Sequence, residues 1–294
     1  MIIAGRTAFE DVPRVCPILS RKSNRQYGDA PVRVVEVCGV RFGAGRPVVI
    51  AGPCAVESWA QTLDLADAVK KTGADMLRGG AFKPRTSPHE FQGMGLEGLK
   101  ILREASRLTG LPVVTEVMDT RLVELVAEYA DMLQIGSRNM QCYPLLVEVG
   151  RTHKPVLLKR GMAASLVEWL GAAEYIAKEG NLDIVLCERG IKTYPSGEYS
   201  RYSLDLSVIQ ALREATYLPV IVDPSHGTGV AAMVEPASRA AVEFGTDGLL
   251  IEVADVQVGT SRPKCDADQA IDPQQLRRIV EFAHTHLAYV AQGT

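Results

Sequence analysis

Eight short apolar runs, each followed by a segment with helical periodicity, occupy the chain from residue 48 onward. The runs lie at residues 48–53, 75–79, 112–117, 131–136, 155–160, 183–188, 219–224 and 248–253. Most are continuously apolar rather than alternating, which is typical of strands that are covered on both faces. In segments such as 60–71, 96–108, 166–179 and 273–287, apolar residues recur every three or four positions. The pattern predicts an α/β protein built from consecutive βα units.

A closed (β/α)8 TIM barrel accommodates these units best, because closure removes the exposed edges that an open parallel sheet would have to protect. A doubly wound open sheet is the alternative. It is disfavoured because no Gly-x-Gly-x-x-Gly turn follows the first run, where a dinucleotide-binding fold carries its phosphate loop.

The N-terminal part of the chain differs from the repeated pattern. Residues 32–37 and 40–42 flank the turn residues Cys38 and Gly39, which predicts a short β-hairpin that could cap the N-terminal mouth of the barrel. We therefore expect an N-terminal extension with a hairpin over residues 1–47 and a catalytic barrel over residues 48–294.

Composition narrows the classes of function. Among 294 residues, 47% are hydrophobic and 23% charged, and the net charge of −3 comes from basic residues scattered among acidic ones, which disfavours nucleic acid and anionic lipid as partners. No apolar run approaches the roughly 18 residues of a membrane span, and the N-terminus lacks a signal-peptide pattern, so we expect a cytoplasmic protein. Six widely separated cysteines without a Cys-x-x-Cys pair indicate neither a disulfide framework nor a zinc ribbon.

Polar residues stand at nearly every predicted strand end. In chain order they are Cys54; Arg78 with Lys83 and Arg85; Glu116; Arg138; Lys159 with Arg160; Glu188 with Arg189; His226; and Glu252. Chemistry in barrel enzymes occurs at the C-terminal ends of the strands. A single charged residue at a wet strand end needs no function, but so many in register indicate a site.

One subset of these residues suits a metal. Cys54, His226, Glu252 and a later acid, Asp266, offer a thiolate, an imidazole and two carboxylates, a mixed set that fits one borderline divalent ion. Iron, zinc, manganese and cobalt all remain open. Cys54, His226 and Glu252 lie at the ends of the first, seventh and eighth predicted strands. These strands become neighbours only in a closed barrel.

A second subset consists of cations from the second to the sixth strand: Arg78, Lys83, Arg85, Arg138, Lys159 and Arg189. Guanidinium groups bind phosphate and carboxylate in bidentate fashion, so this many cations around one mouth indicate substrates with more than one anionic group. A Schiff-base aldolase with Lys159 as the nucleophile is the competing interpretation, although the metal subset would then have no role.

Four motifs carry a family resemblance. They are Ala-Gly-Pro-Cys-Ala-Val-Glu-Ser at 51–58, Lys-Pro-Arg-Thr-Ser-Pro at 83–88, Ile-Gly-Ser-Arg-Asn at 135–139 and Asp-Pro-Ser-His-Gly-Thr-Gly at 223–229. From about residue 30 to the C-terminus the chain resembles 3-deoxy-D-arabino-heptulosonate 7-phosphate (DAHP) synthases, most of all the type I-beta group. The resemblance implies a transferase that condenses phosphoenolpyruvate with erythrose 4-phosphate, the first step of the shikimate pathway, and a homo-oligomer, a tetramer or a dimer.

The resemblance also implies roles for individual residues. It places the metal ligands at Cys54, His226, Glu252 and Asp266, and the phosphoenolpyruvate-binding groups at Arg78, Lys83, Ser137, Arg138, Lys159 and Arg189. It places the aldose phosphate at Arg85 and Thr86, and Glu116 near the reacting centre. In the mechanism that we expect, the cations position two anions together, and Lys83 donates a proton. The alternative role for Lys83 is charge pairing alone.

Two related activities are alternatives. The sister enzyme 3-deoxy-D-manno-octulosonate 8-phosphate synthase uses arabinose 5-phosphate, but it typically has Lys-Ala-Asn-Arg-Ser where this chain has Lys-Pro-Arg-Thr-Ser at 83–87, which favours erythrose 4-phosphate. Metal-independent sisters typically have asparagine at the position of Cys54, so the cysteine favours a metal over His226 acting alone as a general base.

The chain departs from the family after Glu252 and Val253. The family usually continues with His-Pro, whereas Ala254 and Asp255 begin a longer segment here, so Asp268 or Asp255 could replace Asp266 as the fourth ligand. The altered loop could also signal a changed aldose or a specialised pathway. A non-catalytic regulatory barrel is an interpretation of a different class, and lost ligands would be its signature. Residues 1–30 fit neither a ferredoxin-like regulatory domain nor a chorismate mutase, so we expect no built-in feedback domain.

Overall fold

The strands form a closed parallel barrel. The computed structural model describes residues 10–23, 32–85, 87–193, 201–254 and 268–286. The barrel strands are β3 (Val48–Gly52), β4 (Met76–Arg78), β5 (Val113–Glu116), β6 (Met132–Ile135), β7 (Val156–Lys159), β8 (Ile184–Glu188), β9 (Val220–Val222) and β10 (Gly248–Glu252). Neighbours in the chain are neighbours in the sheet, and β10 pairs with β3 to close it. The barrel prediction is confirmed, and the open sheet is excluded.

Helices separate the strands in the predicted order. They are α1 (Val12–Val15), α2 (Trp59–Lys71), α3 (Leu96–Thr109), α4 (Val123–Tyr129), α5 (Tyr143–Arg151), α6 (Leu166–Lys178), α7 (Ser207–Ala215), α8 (Pro224–Thr228), α9 (Ala231–Glu243) and α10 (Pro273–Thr285). Side-chain caps begin several of them, including capping boxes at Ser165 and Asp272. The short helix α8 is an addition to the repeat, inserted between β9 and α9. No helix in the described ranges is long and apolar enough to cross a membrane.

Two apolar layers explain why the strands lack a polar face. In β3, Ile50 belongs to a cluster inside the barrel, whereas Val49 and Ala51 belong to the cluster between strands and helices. Both faces of each strand are therefore covered, as parallel sheets require. The polar side chains of the strands accordingly lie at or next to their C-terminal ends, as Thr115 with Glu116 in β5 and Gln134 in β6 show.

The predicted hairpin is present and lies against the barrel interior. Strands β1 (Val35–Val37) and β2 (Val40–Phe42) pair antiparallel across a two-residue turn in which Cys38 and Gly39 both have positive φ, +47° and +87°. Val35, Val37 and Phe42 are buried in the same cluster as the inward side chains of the barrel strands. The hairpin thus caps the barrel, and the site lies at the opposite end, where the polar strand ends are.

Candidate active site

A polar cavity of about 250 Å³ opens at the C-terminal ends of the barrel strands. Its walls consist of Arg78, Lys83, Pro84, Arg85, Glu90, Glu116, Gln134, Gly136, Ser137, Arg138, Lys159, Met162, Arg189, Arg201, Tyr202 and His226. All six cations singled out from the sequence are among them. A small cavity with so many positive groups is suited to a compact, multiply charged anion.

A cysteine, a histidine and a glutamate lie together beside this cavity. Cys54 follows β3, His226 lies in α8 after β9, and Glu252 ends β10, three strands that are neighbours in the barrel. One potential metal-ligand atom from each residue lies within 4.8 Å of those of the other two. This is the group of potential metal ligands found among the described residues, and we call it the donor cluster. Closure of the barrel thus brings these three side chains together, and their role as metal ligands stays a prediction.

Asp223 orients the histidine of this cluster. As the N-cap of α8 it accepts a hydrogen bond from the backbone N of His226 at 2.9 Å, and its Oδ2 lies 2.7 Å from His226 Nδ1. Burial opposes the protonation of His226, but the charges of Asp223 and Glu252 outweigh burial and raise its pKa to about 9. With Nδ1 engaged by a carboxylate, Nε2 is the nitrogen available to a metal, and it lies 3.2 Å from Glu252 Oε1.

Glu252 is buried and held as a carboxylate. Arg78 donates to its Oε1 at 2.6 Å, Gln269 donates to its Oε2, and its backbone N donates to Ser225 Oγ at 2.9 Å. Burial alone would raise the pKa of Glu252, but the charges of His226 and Arg78 hold it well below its usual range. An ionised carboxylate, a cysteine sulfur and an imidazole nitrogen fixed by a second carboxylate fit a divalent ion of the zinc or iron type.

Lys83 lies between the donor cluster and the cavity. Its Nζ donates to the backbone oxygen of Cys54 at 3.0 Å and to Cys54 Sγ at 3.1 Å. A Cβ on Gly80 would lie 2.6 Å from Lys83 Cδ, so glycine leaves the room that this lysine needs. The proton-donor role of Lys83 stays a prediction.

The side chains of Lys159 and Arg160, at the end of β7, point in different directions. Lys159 enters the cavity, where its Nζ donates to Asp223 Oδ2 at 2.5 Å. Arg160 instead forms a buried ion pair with Glu188 at 3.0 Å and also binds Asp205 at 3.0 Å. Burial raises the pKa of Glu188 despite the charge of Arg160. Lys159 is thus one half of an ion pair in a polar cavity, which does not match the apolar pocket of a Schiff-base lysine.

Glu116 presents a carboxylate to the same cavity. Its Oε2 accepts a hydrogen bond from Gln134 at 3.4 Å, while its Oε1 is buried without a hydrogen-bond partner. Gly136 makes this position available, since a Cβ there would lie 2.1 Å from Glu116 Oε1. A buried carboxylate oxygen without a protein partner is suited to contact a substrate or a water molecule.

The remaining predicted residues lie toward the cavity rim or outside the described ranges. Ser137 and Arg138 lie in a 3-10 helix that follows β6, and Arg85 binds Glu90 at 2.5 Å. Thr86, Asp255 and Asp266 fall outside the described residues, so their assignments stay predictions. Asp268 is described and does not belong to the donor cluster.

Sequence reasoning missed several groups at the site, chiefly Arg201, Tyr202, Gln134, Asp223 and Gln269. Asp223 had a usable signal, because an acid before Pro224 is a typical helix N-cap and lies three residues before His226, within reach of its backbone N–H. Arg201 and Tyr202 follow a long connection after β8 and carry no periodic or strand-end signal.

Comparisons with known proteins agree with this geometry. The profile of the DAHP synthetase I family matches residues 21–290. A phospho-2-dehydro-3-deoxyheptonate aldolase from Thermotoga maritima is 43% identical over 248 residues, which is 84% of this chain and 72% of that protein. A 2-dehydro-3-deoxyphosphooctonate aldolase from Syntrophotalea carbinolica is 33% identical over 266 residues, 84% of this chain and 93% of that protein.

Solved structures show the same likeness. A crystal structure of DAHP synthase from Thermotoga maritima covers 90% of this chain and 75% of its own with a TM-score of 0.83 and 41% identity. A truncated form of 3-deoxy-D-arabino-heptulosonate 7-phosphate synthase from the same organism covers 91% of this chain and 94% of its own, with a TM-score of 0.80 and 37% identity. The chain belongs to the DAHP synthetase I family.

Proposed function

We propose that the chain is a metal-dependent 3-deoxy-7-phosphoheptulonate synthase, which condenses phosphoenolpyruvate with erythrose 4-phosphate to DAHP and inorganic phosphate. The observation that carries the proposal is the position of the Cys54–His226–Glu252 cluster beside a cavity with six strand-end cations. The cations would bind the anionic groups of two phosphorylated substrates. A metal ion held by the donor cluster at the edge of the cavity would act on the aldehyde. Family membership and the 43% identity to the heptonate enzyme support this choice of aldose over arabinose 5-phosphate.

Phosphoenolpyruvate takes the deep part of the cavity in this proposal. Lys159 and Arg189 are almost completely buried there, as is Arg78, and these groups match the carboxylate and phosphate of the substrate in charge. Arg138 and the backbone of Ser137 close the binding site from the side of β6. Bringing cations to a fixed place lowers the entropic part of the barrier for joining two anions.

Erythrose 4-phosphate then lies nearer the rim, with its phosphate at Arg85 and Thr86. Arg85 comes from the loop that follows β4, which also carries Lys83. The aldehyde end points inward to the donor cluster. In this proposed arrangement the aldehyde carbon would face C3 of phosphoenolpyruvate.

Cys54, His226 and Glu252 would hold the metal ion, with Asp266 proposed as the fourth ligand. A divalent ion bound there polarises the aldehyde oxygen as a Lewis acid. Asp223 keeps the His226 ring in its orientation, and Arg78 and Gln269 do the same for the Glu252 carboxylate. The identity of the metal is left open among manganese, iron, cobalt and zinc.

The chain's own residues carry the remaining steps. C3 of phosphoenolpyruvate forms the new bond to the aldehyde carbon, and Lys83 delivers a proton to the resulting alkoxide. Bond formation at C3 leaves C2 cationic, so water adds to C2 and one of its protons passes to Glu116. The C2–O bond to phosphate then breaks as the C2 hydroxyl passes its proton to the departing phosphate and becomes the keto group of the product. Arg78 and Lys159 stabilise the leaving phosphate as its charge increases, whereas Arg189 holds the bound substrate in place.

Release of inorganic phosphate from phosphoenolpyruvate tests the proposal, measured with erythrose 4-phosphate and separately with arabinose 5-phosphate. We expect release with erythrose 4-phosphate, loss of activity after chelation and recovery when manganese is added back. Release with arabinose 5-phosphate alone, or with neither sugar in protein that binds metal, would contradict it. The homo-oligomer implied by the resemblance is a separate prediction, measured by light scattering.

A further inference from the structure

Arg189 carries a buried charge that has no carboxylate partner among the described residues. Its side chain is 6% exposed, and its NH1 donates at 3.3 Å to the backbone oxygen of Gly190, the next residue in the chain. Two other buried cations of the cavity are paired differently, Arg78 with Glu252 and Lys159 with Asp223. A guanidinium that is buried and not neutralised retains its full charge for an anionic ligand.

An aromatic ring holds this guanidinium. Arg189 Cζ lies 4.1 Å from the centroid of the Tyr202 ring, which is a close cation–π contact. The ring face attracts the cation and fixes its plane but contributes no formal negative charge. Tyr202 can therefore orient Arg189 without competing with a substrate phosphate or carboxylate, as an aspartate or glutamate would.

Tyr202 is itself fixed from several directions. Its backbone N donates to Gly227 O at 3.0 Å in α8, its hydroxyl donates to Met162 Sδ at 3.4 Å, and the neighbouring Ser203 pairs with Ile191. Gly190 permits the close approach, since a Cβ there would lie 2.7 Å from Tyr202 Cβ. The ring is thus supported by the segments that follow three different barrel strands.

We propose that Tyr202 is a positioning residue for phosphoenolpyruvate, acting through the guanidinium of Arg189. The inference rests on the proposed function, which assigns Arg189 to that substrate. Loss of the ring leaves the Arg189 charge in place but frees its orientation, so the substrate must order the side chain as it binds. Such a loss weakens binding and leaves the chemical step nearly unchanged.

The first experiment compares Tyr202→Leu with Tyr202→Phe. For Tyr202→Leu we expect the KM and the calorimetric Kd for phosphoenolpyruvate to rise about tenfold, in line with a desolvated cation–π contact, while kcat and the KM for erythrose 4-phosphate change less than about twofold. Tyr202→Phe keeps the ring and should retain near-normal values. Tyr175→Leu, on the exposed face of α6, is the matched control and should have no effect.

A double-mutant cycle separates positioning from general damage. In an Arg189→Lys background, which retains a charge but loses the planar group, Tyr202→Leu should add little further loss of phosphoenolpyruvate affinity. Full additivity of the two losses would overturn the inference, and so would an unchanged Kd in Tyr202→Leu.

A graded series keeps the inference testable if Tyr202→Leu does not fold. Phenylalanines with increasing ring fluorination, placed at position 202, preserve the size of the ring and weaken its attraction for a cation. The Kd for phosphoenolpyruvate should rise with each fluorine, and a flat series would overturn the inference. Binding is measured without the aldose, so failure of this inference stays distinct from failure of the proposed condensation, which wild-type phosphate release reports.

Discussion

Lys83 places its Nζ 3.1 Å from Cys54 Sγ and 3.0 Å from the backbone oxygen of the same residue. The contact joins the loop after β4, which lines the cavity, to the donor cluster after β3. One side chain thus touches both the proposed metal ligand and the proposed substrate site.

Replacement of this lysine should stop turnover. We expect Lys83→Met to lower kcat at least about 100-fold, because it removes both a cation and the proposed proton donor from between the two substrates. Phosphate release is the measurement, and Lys178→Met, at the end of α6, is a control that should be fully active. A Lys83→Met enzyme that turns over near the normal rate would remove Lys83 from the chemistry.

Metal binding should depend on the cysteine of the cluster. We expect Cys54→Ala to weaken affinity for manganese or zinc at least about 100-fold, since changes in the outer shell of a metal site alone cost up to that factor. Competition with a chromophoric chelator measures the affinity independently of catalysis. Cys38→Ser changes an exposed thiol at the far end of the barrel and should bind metal normally. Equal affinities in both variants would contradict the assignment.

Much of this architecture could be predicted because it follows from periodic patterns. Eight apolar runs became eight strands, and polar groups at the strand ends converged because parallel strands of a barrel end at one mouth. Cys54, His226 and Glu252, far apart in sequence, were united by that topology alone.

The parts that sequence did not predict depend on side-chain direction rather than on period. Arg160 and Lys159 are adjacent at the end of β7, yet opposite side-chain directions send one into a buried ion pair and the other into the cavity. Arg201 and Tyr202 reach the cavity from a connection with no regular pattern, so only the folded backbone reveals them.

A methyl group on Gly136 should disturb the site more than the fold. The added Cβ of Gly136→Ala would lie 2.1 Å from Glu116 Oε1, so the carboxylate must move. We expect a cost of about 1–3 kcal/mol in unfolding free energy, as for other overpacked positions, with a large loss of phosphate release at temperatures where the protein is folded. Urea unfolding and activity assays measure the two effects, and a fully active variant would contradict the role of Glu116.

The hairpin turn allows a test in which two substitutions should change the free energy of unfolding in opposite directions. Gly39→Ala should destabilise by about 1 kcal/mol, since φ is +87° and a Cβ there meets no other atom within 4 Å, which leaves backbone strain as the cause. Cys38→Asn should stabilise by about 0.5 kcal/mol, because asparagine tolerates positive φ at this turn position. Thermal and urea unfolding provide the values. If both substitutions changed the free energy of unfolding in the same direction, the result would contradict the turn geometry.

Asp75 should contribute to stability in a pH-dependent way. Burial alone would raise its pKa, but hydrogen bonds from His284, the backbone of Val49 and Arg46 hold it below its usual value. A depressed carboxyl pKa stabilises the fold above the unfolded pKa of about 4, and this contribution is lost as pH falls through the folded value. Asp75→Asn should therefore cost about 2 kcal/mol near pH 7 and less near pH 3. Urea unfolding at both pH values measures it, and an equal cost at both would refute the assignment.

The hairpin cap has a kinetic consequence. Val35, Val37 and Phe42 pack against the inward side chains from the N-terminal side, and the cavity lies at the C-terminal ends of the strands. Lys159 and Arg189 lie deep in the cavity, whereas Arg138 is exposed at its rim. Everything bound at depth must pass the rim in both directions. If phosphoenolpyruvate takes the deep part of the cavity, as proposed, it has to arrive before the sugar and cannot leave while the sugar is bound. It also cannot be replaced until the seven-carbon product has departed, so we expect a compulsory order of arrival and exit.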